Sequence, residues 1–332
     1  MKALLSIAPG GPDTLEVTDL PDPVPGPGEL LVRVKAAAVN YPDVLIIEDK
    51  YQFKPPRPFA PGGEIAGIVE ALGEDVGNWK VGDRLIAVPG WGGMAEKIVI
   101  AAKTAIPLPD ERSFTDGAAL MLTYATSIHA LYDRGRLEPG QTLLVLGAAG
   151  GVGLAAVELG KARGARVIAA VSSQEKAAAA LEAGADEAIV YQAGPFDGDG
   201  RKALSRQFKD AVGADGAHVI FDPVGGDYSE AALRCIAWEG RHLVVGFPAG
   251  IPSLPLNLTL LKSCDVCGVF WGAFAARDPA ANAANVAELF RLWSEGSIRP
   301  RVSGTVPLER GGEAIAAMAA RRVIGKLVVT ID

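Results

Sequence analysis

The sequence predicts an α/β protein in which a β-rich first part precedes a doubly wound parallel sheet. Three observations carry that prediction. The apolar run Leu143–Leu146 leads into Gly147-Ala148-Ala149-Gly150-Gly151-Val152-Gly153, an alanine-rich stretch from Leu154 to Leu159, and a second apolar run, Arg166–Val171. That order is strand, glycine turn, helix, strand, a βαβ unit of about 30 residues. Beyond about Thr123 apolar runs keep alternating with helical stretches, whereas before it short runs are separated by proline and glycine.

The first part has strands such as Leu30–Val34 between turns at Pro21–Gly28, Pro55–Gly63, Gly82-Asp83 and Pro89–Gly93. This texture suggests a compact, largely antiparallel barrel or sandwich. The parallel sheet takes strands at Thr142–Leu146, Arg166–Val171, Glu187–Val190, His218–Phe221, Arg241–Val245 and Val266–Trp271. Between them lie helices including Glu175–Glu182, Arg201–Val212 and Tyr228–Ala237. Asp278-Pro279 reads as an N-cap and first helical position of a helix running towards Gly296. A helix from Glu309 to Arg321 and a strand at Lys326–Val329 finish the chain, and the last strands are expected to rejoin the β-rich part. The domains expected are residues 1–122 with 274–332, and residues 123–273.

Hydrophobic residues make up 49% of the 332 and charged residues 21%, so a sizeable core is expected and disorder is not. A net charge of -7 with no long basic run argues against nucleic acid or an anionic membrane surface as partner. No stretch is long and apolar enough to span a bilayer. Pro9-Gly10-Gly11 ends the first apolar run too early for a signal core. The cysteines, Cys235, Cys264 and Cys267, are odd in number and sparse, which argues for a reducing, cytoplasmic setting. Cys264 and Cys267 lie in an apolar, strand-like run and read as small buried side chains rather than a redox or zinc motif.

A glycine turn between strand and helix lets backbone N–H groups approach a pyrophosphate at the positive end of the helix. Gly150, Gly151 and Val152 are the expected contacts of a dinucleotide. The second strand runs into Ser172-Ser173-Gln174-Glu175-Lys176, with no acid at its end to bind a ribose 2′-hydroxyl. Small hydroxyls and a lysine suit a 2′-phosphate, which predicts NADPH. Ser172 and Glu175 also fit a capping box for the next helix. A capping box does not account for Lys176, whose cation opposes the helix dipole by roughly 0.3–1 kcal/mol. Gly246-Phe247-Pro248 ends the fifth strand at the edge where such sheets bind ligands, as a cofactor wall or a plain turn.

Five segments together carry a resemblance: Val39-Asn40-Tyr41-Pro42-Asp43, Pro61–Gly67, Val81-Gly82-Asp83-Arg84, the Gly147–Gly153 loop and Ala183-Gly184-Ala185-Asp186. Over essentially its whole length the chain resembles the medium-chain dehydrogenase/reductase superfamily, and within it the zinc-free quinone oxidoreductase branch. The resemblance implies a GroES-like catalytic domain, a Rossmann domain, a cleft between them, and a homodimer formed through the sixth strand. Zinc-dependent members carry cysteine where Asn40 stands, histidine where Gly63 stands, and cysteine or aspartate near Leu122. Glu64 alone makes no metal site, and His129, His218 and His242 lie elsewhere, so no zinc is expected.

The resemblance also implies roles for single residues. Thr126 would lie near the nicotinamide, though Thr123–Thr126 also reads as a helix start. Tyr191 would join Lys176 at the 2′-phosphate, or be a strand-end aromatic. Phe270, Trp271 and Gly272 would line the nicotinamide pocket, or pack the core. Asn40 would border the cofactor, and Asn40 and Tyr51 are the candidate hydrogen-bond donors to a substrate oxygen. Asn40 reads equally as a helix cap and Tyr51 as a loop aromatic. The expected activity is hydride transfer from NADPH to a quinone or α,β-unsaturated carbonyl. An enoyl thioester reductase, or a non-catalytic NADPH-binding redox sensor or structural protein, is the alternative.

Overall fold

The computed structural model describes residues 1–332, which form two compact units: Met1–Leu122 with Pro300–Asp332, and Thr123–Arg299. In the first unit, β1 (Lys2–Ser6) and β2 (Leu15–Asp19) make a short antiparallel pair. The ten-residue β3 (Glu29–Ala38) organises the rest. One edge pairs antiparallel with β4 (Ile65–Leu72), which pairs in turn with β5 (Arg84–Ala87). The other edge is shared. β6 (Lys97–Ala101) takes Glu29–Arg33, and the strand Lys326–Thr330 takes Ala36–Ala38. β7 (Ile106–Pro107) extends the sheet beyond β5. Irregular register at Leu31/Val32 and Val34/Ala36 adds twist. Leu30, Val32 and Val34 point into a core with Ile65, Val69, Leu85 and Met94.

The sheet is antiparallel as expected, except that Val302–Pro307 runs parallel to Lys326–Thr330 across the helix Gly311–Ala319. The last strands thus rejoin the β-rich part. Helix α1 (Tyr41–Ile47) follows β3 directly, and α2 (Phe114–Ala118) packs on β3, β4 and β5.

The second unit begins in α3 (Met121–Ile128), which continues as a π-helical turn at His129–Arg134. Its six parallel strands are β8 (Thr142–Leu146), β9 (Arg166–Val171), β10 (Glu187–Val190), β11 (Ala217–Asp222), β12 (Ile236–Val244) and β13 (Asp265–Gly268). They lie in the order β10-β9-β8-β11-β12-β13. The order reverses between β8 and β11, the point where such sheets bind ligands. Helices α4 (Gly151–Ala162), α5 (Gln174–Glu182), α6 (Gly198–Val212) and α7 (Gly226–Leu233) connect the first five strands. α8 (Asn257–Lys262) precedes β13, and α9 (Trp271–Arg277) and α10 (Pro279–Ser294) follow it. Small residues let α4 lie close to the sheet: a Cβ at Gly160 would sit 2.6 Å from Leu143 Cδ2.

Several boundaries differ from those expected. α7 ends at Leu233, not Ala237, because Ile236 already pairs with Ala217 and starts β12. β13 stops at Gly268 after its ladder with β12, so Phe270 caps α9 and Trp271 is helical rather than extended. Residues 274–299 belong to the second unit, not to the domain that contains the N-terminus. Leu289, Leu292 and Trp293 are buried there, Asn282 accepts from Trp271 Nε1 at 2.8 Å, and Asn285 donates to Asp133 at 2.8 Å.

Candidate functional site

The nucleotide cradle of the second unit grows from the C-terminal ends of β8, β9, β11 and β12. Gly147 leaves β8 in the left-handed region (φ 57°), which a side chain resists. Gly153 is closed in by the loop itself: a Cβ there would lie 2.3 Å from Gly147 O and 2.8 Å from Ala148 Cα. At Gly150, by contrast, a Cβ meets nothing nearer than Gly147 O at 3.5 Å. The loop is therefore tight beneath and open above, as an approaching pyrophosphate requires. Ser127 Oγ on α3 donates to Val152 O at 3.0 Å, tying that helix to the loop. Thr126, its half-buried neighbour, lies mid-helix rather than at a helix start.

At the end of β9, Ser173, not Ser172, caps α5, and its Oγ accepts from Lys176 N at 3.2 Å. The expected Ser172–Glu175 capping box is therefore not formed. Ser172 is left exposed, with Lys176 Nζ 3.2 Å from its Oγ. Hydroxyl and ammonium thus converge at the strand end. Tyr191 packs against Phe208 and Tyr228 at the end of β10.

A group that sequence reasoning passed over supports the opposite wall. Asp222, at the end of β11, accepts from Val224 N and Gly225 N, each at 2.9 Å, from the Ser229 hydroxyl, and from His242 Nε2 at 3.1 Å. Burial pushes its carboxyl up, but His242 and the donors outweigh this and hold it below the usual range. Asp222 O also accepts from Gly246 N at 3.3 Å, so one residue shapes both turns. Phe247 stays half exposed beside Gly225. Phe270 is exposed before α9, Gly272 is open, and Trp271 turns to Asn282 in packing.

In the first unit Asn40 caps α1, and Asp43 accepts its N–H at 2.7 Å. Asn40 is 5% exposed, and its Nδ2 donates to Ala38 O at 3.3 Å and Glu64 Oε2 at 3.1 Å. Both amide hydrogens are spent, which corrects its expected role as donor to a substrate oxygen. Its Oδ1 accepts from Lys326 Nζ, which lies 3.1 Å from Glu64 Oε2. Glu64 Oε1 accepts from Leu122 N at 2.8 Å. Asp43 also receives Gly62 N at 2.8 Å; burial raises its carboxyl to about 6 against these bonds. Tyr51 is half-buried beside Phe53, its hydroxyl makes no hydrogen bond within the chain, and burial and the Asp43 charge raise its pKa.

A zinc ion does not fit these residues. Asn40 offers a neutral amide already engaged, Leu122 offers an alkyl chain, and Gly63 cannot become histidine because a Cβ would press 2.9 Å from Gly90 O. The Lys326 ammonium already supplies a positive charge among them. No group of three or more His, Cys, Asp or Glu side chains is placed to hold a metal ion. Lys326 gave one signal in sequence, a lone charge at the head of an apolar strand, and its partner lies 262 residues away.

A parallel sheet in this order with a glycine loop at its switch point defines a dinucleotide-binding class of fold. Residues 26–110 match the alcohol dehydrogenase GroES-like domain and residues 151–288 the zinc-binding dehydrogenase family. The chain is 37% identical over 313 residues to a quinone oxidoreductase-like protein 2 of Rattus norvegicus, covering 94% of this chain and 87% of that protein. It is 35% identical to a quinone oxidoreductase of Pseudomonas aeruginosa, covering 99% of each. The structure of the Escherichia coli quinone oxidoreductase complexed with NADPH superposes with a TM-score of 0.89 at 29% identity, over 99% of this chain and 100% of that one. The chain belongs to the medium-chain dehydrogenase/reductase superfamily, among its quinone oxidoreductase-like members. No helix is long and apolar enough to cross a membrane.

Proposed function

We propose that the chain is a zinc-independent reductase that passes hydride from NADPH to a quinone or α,β-unsaturated carbonyl. The observation that carries the reading is the end of β9, where Ser172 Oγ and Lys176 Nζ converge 3.2 Å apart and no acid stands. That arrangement suits a 2′-phosphate and offers nothing to a 2′-hydroxyl pair. Ser173 and the Gly150–Val152 turn would complete the grip, with Gly246–Pro248 as a wall. When bound, NADPH supplies the hydride. The quinone takes it with one proton to give the hydroquinone. Negative charge on a conjugated acceptor spreads onto its oxygen, where a hydrogen-bond donor can stabilise it without a metal. Tyr51 takes the donor role, its half-buried hydroxyl being free of partners within the chain.

The test is NADPH oxidation with 1,4-benzoquinone, 9,10-phenanthrenequinone, 2-alkenals and crotonyl-CoA, on protein whose zinc content has been measured. Turnover of the quinones or alkenals by zinc-free protein is expected. Tight NADPH binding without turnover of any acceptor means a non-catalytic NADPH binder, and stoichiometric zinc removes the metal-free reading. Lys176→Ala removes one charge-assisted contact, about 1.5–3 kcal/mol. It should raise the NADPH Kd about 10- to 100-fold and leave NADH unchanged; fluorescence titration with equal losses for both cofactors counts against the 2′-phosphate.

We also propose a cytoplasmic homodimer joined along β13, whose outer edge pairs with nothing in the chain. Leu256, Leu260, Leu261 and Val266 are exposed nearby, Leu260 at 79%. Light scattering at micromolar concentration should return twice the chain mass, and a monomer mass overturns the proposal.

A further inference from the structure

Lys326 is the one lysine or arginine among the buried residues, at 3% exposure. Its partner Glu64 is at 0%. A carboxylate that deep requires a countercharge, and the pair spans 262 residues to meet at 3.1 Å. What the pair touches is specific. Glu64 Oε1 holds Leu122 N, Glu64 Oε2 holds Asn40 Nδ2, and Lys326 Nζ holds Asn40 Oδ1. By the resemblance, Asn40 stands where zinc-dependent members place a ligand, Leu122 lies near a second such position, and Glu64 follows Gly63, the third. One ammonium tethered to the sheet therefore stands among the positions that a metal would otherwise draw together. From Asn40 the contacts lead into α1, which it caps, through Asp43 to the Gly62 backbone. Tyr51 lies four residues past α1, packed on the same core and close enough to feel the Asp43 charge.

We propose that Lys326 is a positioning residue of the reductase: its buried ammonium locks Asn40 and Glu64, sets the start of α1, and thereby fixes Tyr51 against the substrate. This rests on the function proposed above. An ammonium is saturated and hydrogen-bonded, so it can orient but cannot coordinate a carbonyl oxygen as a metal does. A reductase arranged this way selects acceptors that delocalise their own charge.

The test compares the wild type with Lys326→Arg, Lys326→Met and the charge-neutral pair Glu64→Gln with Lys326→Met. Removing one partner alone leaves a buried charge and threatens the fold, whereas removing both often leaves stability unchanged. With benzoquinone at saturating NADPH, the double variant should keep its melting temperature and its NADPH Kd within twofold, yet lose at least about 30-fold in kcat with KM little changed. Lys326→Arg should restore a tenth or more of the wild-type kcat. A second readout needs no turnover. With ring-¹³C tyrosine, the Tyr51 resonance, identified from Tyr51→Phe, should be single and sharp in the wild type and shifted or broadened in the double variant, as should that of Tyr41 at the start of α1, the tyrosines of the second unit staying put. A folded double variant with wild-type kcat and an unmoved Tyr51 resonance overturns the proposal. If the wild type reduces none of the acceptors, the function fails, and the Tyr51 resonance alone then decides whether Lys326 positions it.

Discussion

Replacing Gly153 by valine should remove NADPH binding, raising the Kd at least about 100-fold. The clash is with backbone, since the Cβ position lies 2.3 Å from Gly147 O and 2.9 Å from Ala148 C. The loop can relieve it only by opening, which takes its N–H groups away from the pyrophosphate and lifts α4 from the sheet. Overpacking of this kind also costs about 1–3 kcal/mol of stability. Gly150→Ala separates the two effects. Its methyl enters open space, so the fold should keep its urea midpoint while NADPH weakens about tenfold through lost access. Cofactor titration by fluorescence beside urea unfolding reads both. NADPH affinity in Gly153→Val within threefold of wild type would show that the loop is not the pyrophosphate site.

Stability should fall as pH rises from about 5 to 8, and Glu158→Gln should remove much of that slope. Burial pushes the Glu158 carboxyl up to about 7, against the hydrogen bonds from Tyr124 OH at 2.6 Å and Arg299 N at 3.0 Å. In the unfolded chain the same carboxyl titrates near 4.5. The folded state therefore holds a proton that the unfolded state has lost. The resulting stability is fully present below about 4.5 and disappears as pH passes 7. Allowing for partial exposure, the swing is about 2 kcal/mol. Asp43, raised to about 6 by burial, adds a swing of the same sign at slightly lower pH. Urea midpoints from pH 4.5 to 8 measure this. Glu158→Gln should match the wild type at pH 4.5 and exceed it at pH 8; identical slopes would refute the assignment to Glu158.

What the sequence discloses follows the range of the forces involved. β8, β9 and β10 are fully legible, because each is an apolar run bounded by turn residues, and the glycine loop is legible for the same reason. The Asp278-Pro279 helix start is legible because its cap is local: Asp278 accepts from Ala281 N at 3.0 Å. β12 and β13 are misjudged at their ends because the partner strand, not propensity, decides where the ladder stops. Residues 274–299 are misassigned because their attachment depends on distant bonds such as Asn285 to Asp133. The meeting of Ser172 and Lys176 is legible because they are four residues apart. Asn40 is found but misread, since nothing local reveals that Glu64 and Lys326 consume its hydrogen-bonding capacity.

The division of the first unit between residues 1–122 and 300–332 shapes how the protein is made. The ribosome releases Glu64 262 residues before Lys326. At about 5–20 residues per second that delay is roughly 13–52 s. Throughout it, the Ala36–Ala38 end of β3 lacks its edge strand and Glu64 lacks its countercharge, while the contiguous Thr123–Arg299 unit emerges whole and can fold on the way. A nascent chain stalled short of Lys326 would thus carry a finished nucleotide-binding half beside an open, uncompensated one. That half-built sheet is the surface on which holdase chaperones and proteases would act.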